Sequence, residues 1–522
     1  MVAHTLPAIT APATVLLMPS EPLDASHPSP VGSGSAPSQG EPTPAERTTG
    51  SPAERTTGSP AERTTGLPAE PSRPAPSAPL QSGSTRRTID RSIARLAIPA
   101  LGALIAEPLF LVVDSALVGH LGMAPLAGLA VAGAILQTAV GLMIFLAYST
   151  TPLVARRRGA GDVRGAVQAG IDGLWLALGI GAVVGTALWF LSEPLIAAFG
   201  VAPDAAEQAR IYLSISCAGI PAMLVVFAAS GLLRGLQDTR TPLTVATIGF
   251  AINAVLNWWF IYGLGLGIGG SALGTVIAQW GMVAVYLLVI VRHARRAGAG
   301  FLPRRDGLGH AGRSGGWLFV RTLGLRAALL ATVFAATSHG TAATAGYQIV
   351  FTIFSTAAFA LDALAIAAQA LIGDALGARN AARARFVTRR SIFWGVSCGI
   401  VFGLLLAASS PVLGRVFTSD PAVLAILTPA LLVLGISLPL GGLVFVLDGV
   451  LMGAGDARYL AWTSVLNLAV YLPILWALTV LVPSGAPALV ALTAGFTIVF
   501  MLARAVTLGL RTRGGRWVRL GA

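Results

Sequence analysis

The sequence predicts an all-α polytopic membrane protein with twelve transmembrane helices in two six-helix parallel-repeat lobes. Three observations predict it: the composition, a series of twelve apolar runs and an internal repeat. Of the 522 residues, 55% are hydrophobic and only 11% are charged, and the mean hydropathy is +0.76. Soluble domains carry about 25% charged residues, so a water-soluble chain of this size could not cover its surface with so few charges.

The apolar runs are each long enough to cross about 30 Å of hydrocarbon at about 1.5 Å per helical residue. Short polar segments separate them. The predicted spans are 93–118, 125–154, 168–191, 206–232, 241–263, 269–291, 319–339, 345–374, 387–409, 422–451, 459–481 and 487–509.

The N-terminal region differs from the rest because it is rich in Pro, Ser, Thr and Gly and contains a tandem octapeptide. PAERTTGS occurs at 44–51 and 52–59, and PAERTTGL follows at 60–67. Such a segment cannot bury enough apolar surface to order itself, although a start codon further downstream is an alternative. The predicted organisation is a disordered cytoplasmic tail at 1–87, an N-terminal lobe at 88–291, a basic cytoplasmic linker at 292–318, a C-terminal lobe at 319–510 and a basic tail at 511–522.

The charge distribution predicts the orientation. All 35 basic residues are arginine and the net charge is +13, with seven arginines between residues 292 and 321. Arginines concentrate in alternate loops, which indicates cytoplasmic loops and two cytoplasmic termini in a multi-pass plasma-membrane protein. A nucleic-acid partner is not expected, because nucleic-acid binding needs a basic face on a soluble fold. Membrane lipid is the expected environment. The protein is expected to be monomeric.

The internal repeat has an offset of 218 residues. GLLRGLQDTR at 231–240 matches GVLMGAGDAR at 449–458, and Gly159 matches Gly377 at the same offset. Two six-helix halves with equivalent loops on one side of the membrane are parallel repeats, an arrangement typical of transporters that work by alternating access.

Ionisable residues inside the first span are the main functional signal, because a carboxylate at a helix centre costs about 2.5–3.5 kcal/mol on insertion scales. Glu107 and Asp114 are seven residues apart and share one helix face. Pro108 removes a backbone hydrogen bond between them and predicts a helix hinge. Asp114 is the stronger candidate for coupling, and a structural role for either carboxylate is the alternative.

Further candidates lie in the fifth and sixth spans. Asn253 and Asn257 are four residues apart on one face, so two amide oxygens can face a cation or a protonated carboxyl. Thr275 is a weaker candidate, because amide and hydroxyl residues also stabilise helix contacts in membranes.

In the second half, Asp362 and Gln369 are candidates for substrate binding or coupling, at lower priority. Asp448 lies near the cytoplasmic end, where pairing with a loop arginine is the preferred reading. No metal site is expected from the scattered histidines, or from Cys217 and Cys398, which are far apart in apolar stretches.

No cofactor is expected either. GLGLGIGGSALG at 263–274 includes G-x-G-x-x-G but follows no strand, and a chain without lysine cannot hold G-x-x-x-x-G-K-[ST]. The energy for transport must therefore come from an ion gradient, H⁺ or Na⁺, or from a partner. No nucleophile–base constellation indicates an enzyme.

Together these motifs resemble one family. Twelve spans in two halves, VDSALVGHLG in the first helix, GLLRGLQDTRTP before the fifth and LDGVLMGAGDARYLAW in the repeat are similar to the multidrug and toxic compound extrusion (MATE) family. The resemblance is greatest to its DNA-damage-inducible protein F branch and covers residues 88–515.

The resemblance implies cation-coupled antiport of organic, often cationic or amphipathic compounds. It implies an N-lobe cation site with Asp114, Asn253 and Thr275 at matching positions. Asn257 stands where that branch has an acidic residue, and Gln369 stands where Glu is expected. These departures favour a single proton-carrying carboxylate, Asp114, over sodium coupling.

The predicted function is a multidrug efflux antiporter that exchanges small organic molecules for protons or sodium. A lipid or lipid-linked saccharide flippase is the alternative; fourteen spans and basic residues lining the cavity would favour it, and Arg326 is one of few arginines placed within a span. A membrane scaffold or receptor is a third class, which would need neither buried carboxylates nor a two-lobed repeat.

Overall fold

A computed structural model describes residues 82–521, with side chains from residue 86 onward. Twelve membrane-length helices form this part of the chain, as predicted. The predicted octapeptide tail lies outside the described residues, except that residues 82–87 already begin the first helix. The helices are α1 Ser82–Gly119, α2 Met123–Gly159, α3 Val163–Ala197, α4 Pro203–Gly235, α5 Arg240–Gly263, α6 Gly267–Ala297, α7 Arg305–Thr337, α8 Thr341–Gly377, α9 Ala381–Phe417, α10 Pro421–Gly453, α11 Ala457–Leu481 and α12 Ala486–Arg513.

Several helices contain local irregularities. α2 is interrupted by a turn after Leu142 and resumes at Phe145. A 3₁₀ turn at Cys217–Gly219 interrupts α4, and π turns occur at Trp259–Gly263 in α5 and at Gly495–Phe500 in α12. Such turns are frequent at functional sites in helical proteins. α1 runs without a break through Pro99 and Pro108, so the hinge at Pro108 stays a prediction.

The linker between the halves is shorter than the sequence predicted. Residues 292–318 were assigned to it, but α6 continues to Ala297 and α7 begins at Arg305, which leaves only 298–304 outside the helices. The ends of both helices beyond the apolar runs contain arginines, which lower their hydropathy. The prediction from hydropathy alone therefore missed these polar helix ends.

This short linker is attached to α3 by hydrogen bonds. The Asp172 carboxylate accepts the Arg304 backbone N–H at 3.0 Å, and the Gln168 amide bonds both the Gly300 N–H and the Leu302 carbonyl. A carboxylate at the first turn of α7 also suits the positive end of the helix dipole. The N-terminus of α7 is thereby fixed to the first half of the chain.

The glycines shared by the two copies of the 218-residue repeat lie where two helices cross. A Cβ on Gly235 would lie 2.7 Å from the Thr151 carbonyl oxygen, and one on Gly453 would lie 2.5 Å from the carbonyl oxygen of Gln369, the equivalent residue. Glycine therefore lets α4 approach α2, and α10 approach α8, more closely than any side chain would allow. This requirement explains why the glycines of the two loop motifs recur in register.

The two halves also contact each other at glycines that pack against backbone atoms. One end of the molecule, which we call the arginine-rich end, holds the loops after α2, α4, α6, α8 and α10. There Gly159 of α2 packs against the Asp374 backbone, and its equivalent Gly377 of α8 packs against the Arg156 backbone. Arg158 also pairs with the Asp374 carboxylate at 3.1 Å. The two halves thus make reciprocal contacts at this end.

We predict that Gly453→Val destabilises the α8–α10 crossing, because the added methyl groups meet backbone atoms that cannot move. Overpacking of this kind costs about 1–3 kcal/mol. The measurement is the thermal unfolding temperature of the purified protein in detergent. Gly179→Val, at a helix position with nothing within 4 Å of the added Cβ, is the control; equal losses in both variants would contradict the crossing argument.

Candidate functional site

Asp114 lies at the centre of a polar cluster inside the N-terminal half. It is 3% exposed and its Oδ1 accepts hydrogen bonds from the Asn257 amide at 2.8 Å and the Ser271 hydroxyl at 2.5 Å. The Tyr212 hydroxyl lies 3.4 Å from Oδ2. Four helices, α1, α4, α5 and α6, therefore converge on one carboxylate, and all its donors are neutral.

Two amide oxygens of α5 lack a hydrogen-bond partner. Asn253 and Asn257 are both buried, and the Oδ1 atom of each makes no hydrogen bond in the described part of the chain. The Asn257 amide nitrogen also lies 3.5 Å from the Thr275 hydroxyl. The sequence-predicted set of Asp114, Asn253, Asn257 and Thr275 is thus on neighbouring helices, with Asn257 as its link to Asp114.

Sequence reasoning missed Tyr212 and Ser271. Both lie in apolar stretches where a single hydroxyl is an ordinary helix-contact residue, and only the folded structure places them beside a carboxylate. Their oxygens lie beside the Asp114 carboxylate, and oxygen atoms are the ligands that hard cations prefer. No group of three or more His, Cys, Asp or Glu residues able to hold a metal ion occurs within residues 82–521.

Asp114 has no ion pair among the residues described, and this distinguishes it from Asp448. A buried carboxylate ordinarily requires a counter-charge. The groups around the Asp114 carboxylate are neutral hydrogen-bond donors. Binding of a proton or of one monovalent cation would therefore supply the missing positive charge.

The second half shows that the fold does not require this cluster. At the 218-residue offset, Thr332 stands in place of Asp114 and Tyr471 in place of Asn253, and their hydroxyls are 2.7 Å apart in a neutral hydrogen bond. Leu475 and Leu489 replace Asn257 and Ser271. The same helix positions thus pack with uncharged groups, so the repeated scaffold does not itself require a carboxylate there.

The candidates of the second half lie elsewhere, at the contact between α2 and α8. The Tyr148 hydroxyl donates to Asp362 at 2.7 Å, and the Gln369 amide donates to the Tyr148 carbonyl at 2.7 Å. Both predicted residues therefore contact one residue of the first half. Glu107 belongs to neither cluster: it is exposed within α1 and has no ion pair among the described residues. An ionisable side chain at this depth fits a water-filled space better than lipid.

Asp448 belongs to a buried ion triad. It pairs bidentately with Arg321 of α7 and at 3.2 Å with Arg504 of α12. The expected arginine partner is therefore confirmed, but both arginines lie within helices rather than in loops. In the first half, Ser230 and Tyr286 occupy the positions of Asp448 and Arg504 and form a neutral 3.0 Å hydrogen bond.

Comparison with known proteins identifies the family. The MatE family model matches residues 99–259 and 324–477, more than half of the chain and parts of both lobes. The chain belongs to the MATE family. Its members are transporters rather than enzymes, and this chain is accordingly a multi-pass multidrug and toxic compound efflux transporter with small-molecule substrates.

The MATE assignment agrees with individual relatives. The chain is 31% identical over 393 residues to Protein DETOXIFICATION 44, chloroplastic, of Arabidopsis thaliana, covering 72% of this chain and 74% of that protein. It is 29% identical to DNA damage-inducible protein F of Escherichia coli (strain K12), covering 70% and 81%. The crystal structure of the Vibrio cholerae MATE transporter VcmN in the bent form superposes with a TM-score of 0.76 at 23% identity, covering 83% and 99%, and shows the same fold.

For this MATE transporter we predict that Asp448→Asn strongly destabilises the C-lobe, because two buried arginines lose their carboxylate. Breaking a buried ion pair costs about 3–5 kcal/mol. The triple replacement Arg321→Ala, Asp448→Ser and Arg504→Tyr copies the neutral N-lobe residues and should recover much of the lost unfolding temperature in detergent. A triple variant less stable than Asp448→Asn would contradict this reading.

Proposed function

We propose that this protein is a secondary active antiporter that exports organic, cationic or amphipathic compounds by alternating access, in exchange for protons. The single observation that supports the proposal is Asp114, a buried carboxylate bonded only by neutral donors. Such a group can take up and release one positive charge without breaking an ion pair. Family membership supports the direction of transport and the substrate class.

The proton is the preferred coupling ion because the cluster holds one carboxylate. Asn257 donates its amide N–H to Asp114. An acidic residue at position 257 would instead add a second negative charge. One proton therefore neutralises the site completely. Sodium remains the competing ion, since the unpartnered oxygens of Asn253 and Asn257 could complete an oxygen shell around Na⁺.

Coupling requires that the ion and the drug favour different conformations. Asp114 lies on α1, which packs against α5 of its own half and against α8 of the other half. Protonation would weaken the hydrogen bonds that hold α1 to α5 and α6 through the carboxylate. We propose that α1 then bends at Pro108 and that this movement couples the site to release of the drug.

The arginine distribution supports an orientation with the arginine-rich end in the cytoplasm. Both termini and the loop between the halves would then be cytoplasmic, and the protein would lie in the plasma membrane as a monomer. The number of spans does not support the flippase alternative, because twelve rather than fourteen lie within residues 82–521.

We predict that Asp114→Asn reduces drug flux driven by a pH gradient to the level of empty vesicles. The amide keeps the size of the side chain but cannot carry the proton. The measurement is the flux of a fluorescent organic cation in proteoliposomes with H⁺ and Na⁺ gradients imposed separately. Asp306→Asn, at an exposed position, is the matched control. Undiminished flux in a correctly inserted Asp114→Asn protein would exclude Asp114 as the coupling residue.

We also predict that Asn257→Asp increases the dependence of flux on sodium. The variant places a second carboxylate within hydrogen-bonding distance of Asp114, and two carboxylates with the Asn253 oxygen form a harder and more negative site. Flux is compared in Na⁺-loaded and Na⁺-free vesicles at one pH. Flux of the unaltered protein that requires Na⁺ without any pH gradient would overturn the proton assignment and leave the site as a sodium site.

A further inference from the structure

A cavity of about 600 Å³ lies at the arginine-rich end, away from the Asp114 cluster. Its walls come from the end of α2, the first turns of α7 and α11, the end of α12 and the residues after it. Neither the coupling site nor the contact between Tyr148 and Asp362 includes any of its lining residues. It is therefore a separate feature that the transport proposal leaves unexplained.

The lining of the cavity is strongly basic. Its only acidic residue is Asp456, which is already paired with Arg511 at 2.7 Å. The other arginines have no carboxylate partner among the described residues. They are Arg156, Arg313, Arg458 and Arg519.

Two arginines of the lining lie beside aromatic rings. The Arg458 guanidinium lies 5.8 Å from the centre of the Trp317 ring, and the Arg511 guanidinium lies 4.7 Å from that of Tyr459. Trp462 also lines the cavity and is 60% exposed. A tryptophan at the end of a transmembrane helix is typical of the membrane–water interface, so the cavity opens at the level of lipid head groups.

The first half provides an internal comparison. At the 218-residue offset, Arg95 and Arg240 match Arg313 and Arg458, so arginine at these positions is common to both halves. The aromatic residues are not: Pro99, Thr241 and Thr244 stand in place of Trp317, Tyr459 and Trp462. Arginine at these positions is explained by membrane orientation, whereas the combination of arginine with aromatic residues is specific to the second half.

We propose that this cavity binds an anionic phosphate ester, supplied either by the head group of a phospholipid of the adjacent leaflet or by a soluble molecule. Guanidinium groups bind phosphate through paired, charge-assisted hydrogen bonds, and basic pockets between transmembrane helices accept lipid head groups. Arg156 belongs to α2 of the first half, whereas Arg313 and Arg458 belong to the second. A bound phosphate therefore contacts both halves and stabilises their junction at this end.

The test measures thermal unfolding of the full chain in detergent during titration with phosphatidylglycerol, phosphatidylcholine or glycerol 3-phosphate. A ligand that binds the folded protein raises its unfolding temperature. We expect saturable stabilisation by phosphatidylglycerol and little by phosphatidylcholine, because the choline cation beside its phosphate is repelled by the arginines of the cavity. Arg313→Gln with Arg458→Gln should raise the half-saturating concentration by about tenfold or more, as loss of charge-assisted contacts implies.

The matched control is Arg95→Gln with Arg240→Gln, which removes equivalent charges at equally exposed positions. It should titrate like the unaltered protein. Tyr459→Thr with Trp462→Thr keeps every arginine and should also weaken binding, which separates the cavity from general surface charge. Equal weakening in both arginine pairs, or equal stabilisation by phosphatidylglycerol and phosphatidylcholine, would overturn the proposal.

The glycerol 3-phosphate titration distinguishes the two sources of phosphate. Stabilisation by phosphatidylglycerol alone assigns the site to lipid. Stabilisation by glycerol 3-phosphate at similar concentrations, lost in the Arg313 and Arg458 variant, assigns it to a soluble phosphate ester.

Discussion

Close backbone contact between helices is the constraint on which this structure depends. Within a membrane the helices gain little from burying apolar side chains, since lipid is equally apolar, and they associate through packing at small residues. In each half, glycines of α4 or α10 meet backbone carbonyls of α2 or α8. Gly159 and Gly377 extend the same geometry to the junction of the halves. The shared scaffold is therefore fixed by these glycine contacts, while several of the polar side chains that it positions differ between the halves.

Polar side chains distinguish the two halves. The first half has the unpaired carboxylate of Asp114 where the second has a neutral Thr332–Tyr471 contact. The second half has the Asp448 triad where the first has Ser230 and Tyr286. A carboxylate without a counter-charge can exchange a cation, whereas a carboxylate between two arginines is already neutralised. The two buried carboxylates are thus chemically unlike even though both lie inside helices.

The sequence predicted the twelve spans, the repeat and the position of Asp114, because hydropathy, loop glycines and a charge in an apolar run are all visible in one dimension. It did not predict the polar extensions of α6 and α7, whose arginines resemble a loop. Nor did it identify Tyr212, Ser271 and Tyr148 as partners of carboxylates, because lone hydroxyls in transmembrane helices have many uses. Their roles depend on contacts between residues about 100 to 210 positions apart.

The short connection between the halves has a mechanical consequence. Residues 298–304 are held on α3 by Gln168 and Asp172, and α7 extends from them for 33 residues, or about 50 Å. A helix fixed at one end behaves as a lever. A rotation of about 10° around this attachment would move the far end of α7 by roughly 9 Å for that length, while the residues beside the attachment hardly move. In such a rotation the arginine-rich end would be the fixed point, and the largest displacement of α7 would occur at the opposite end.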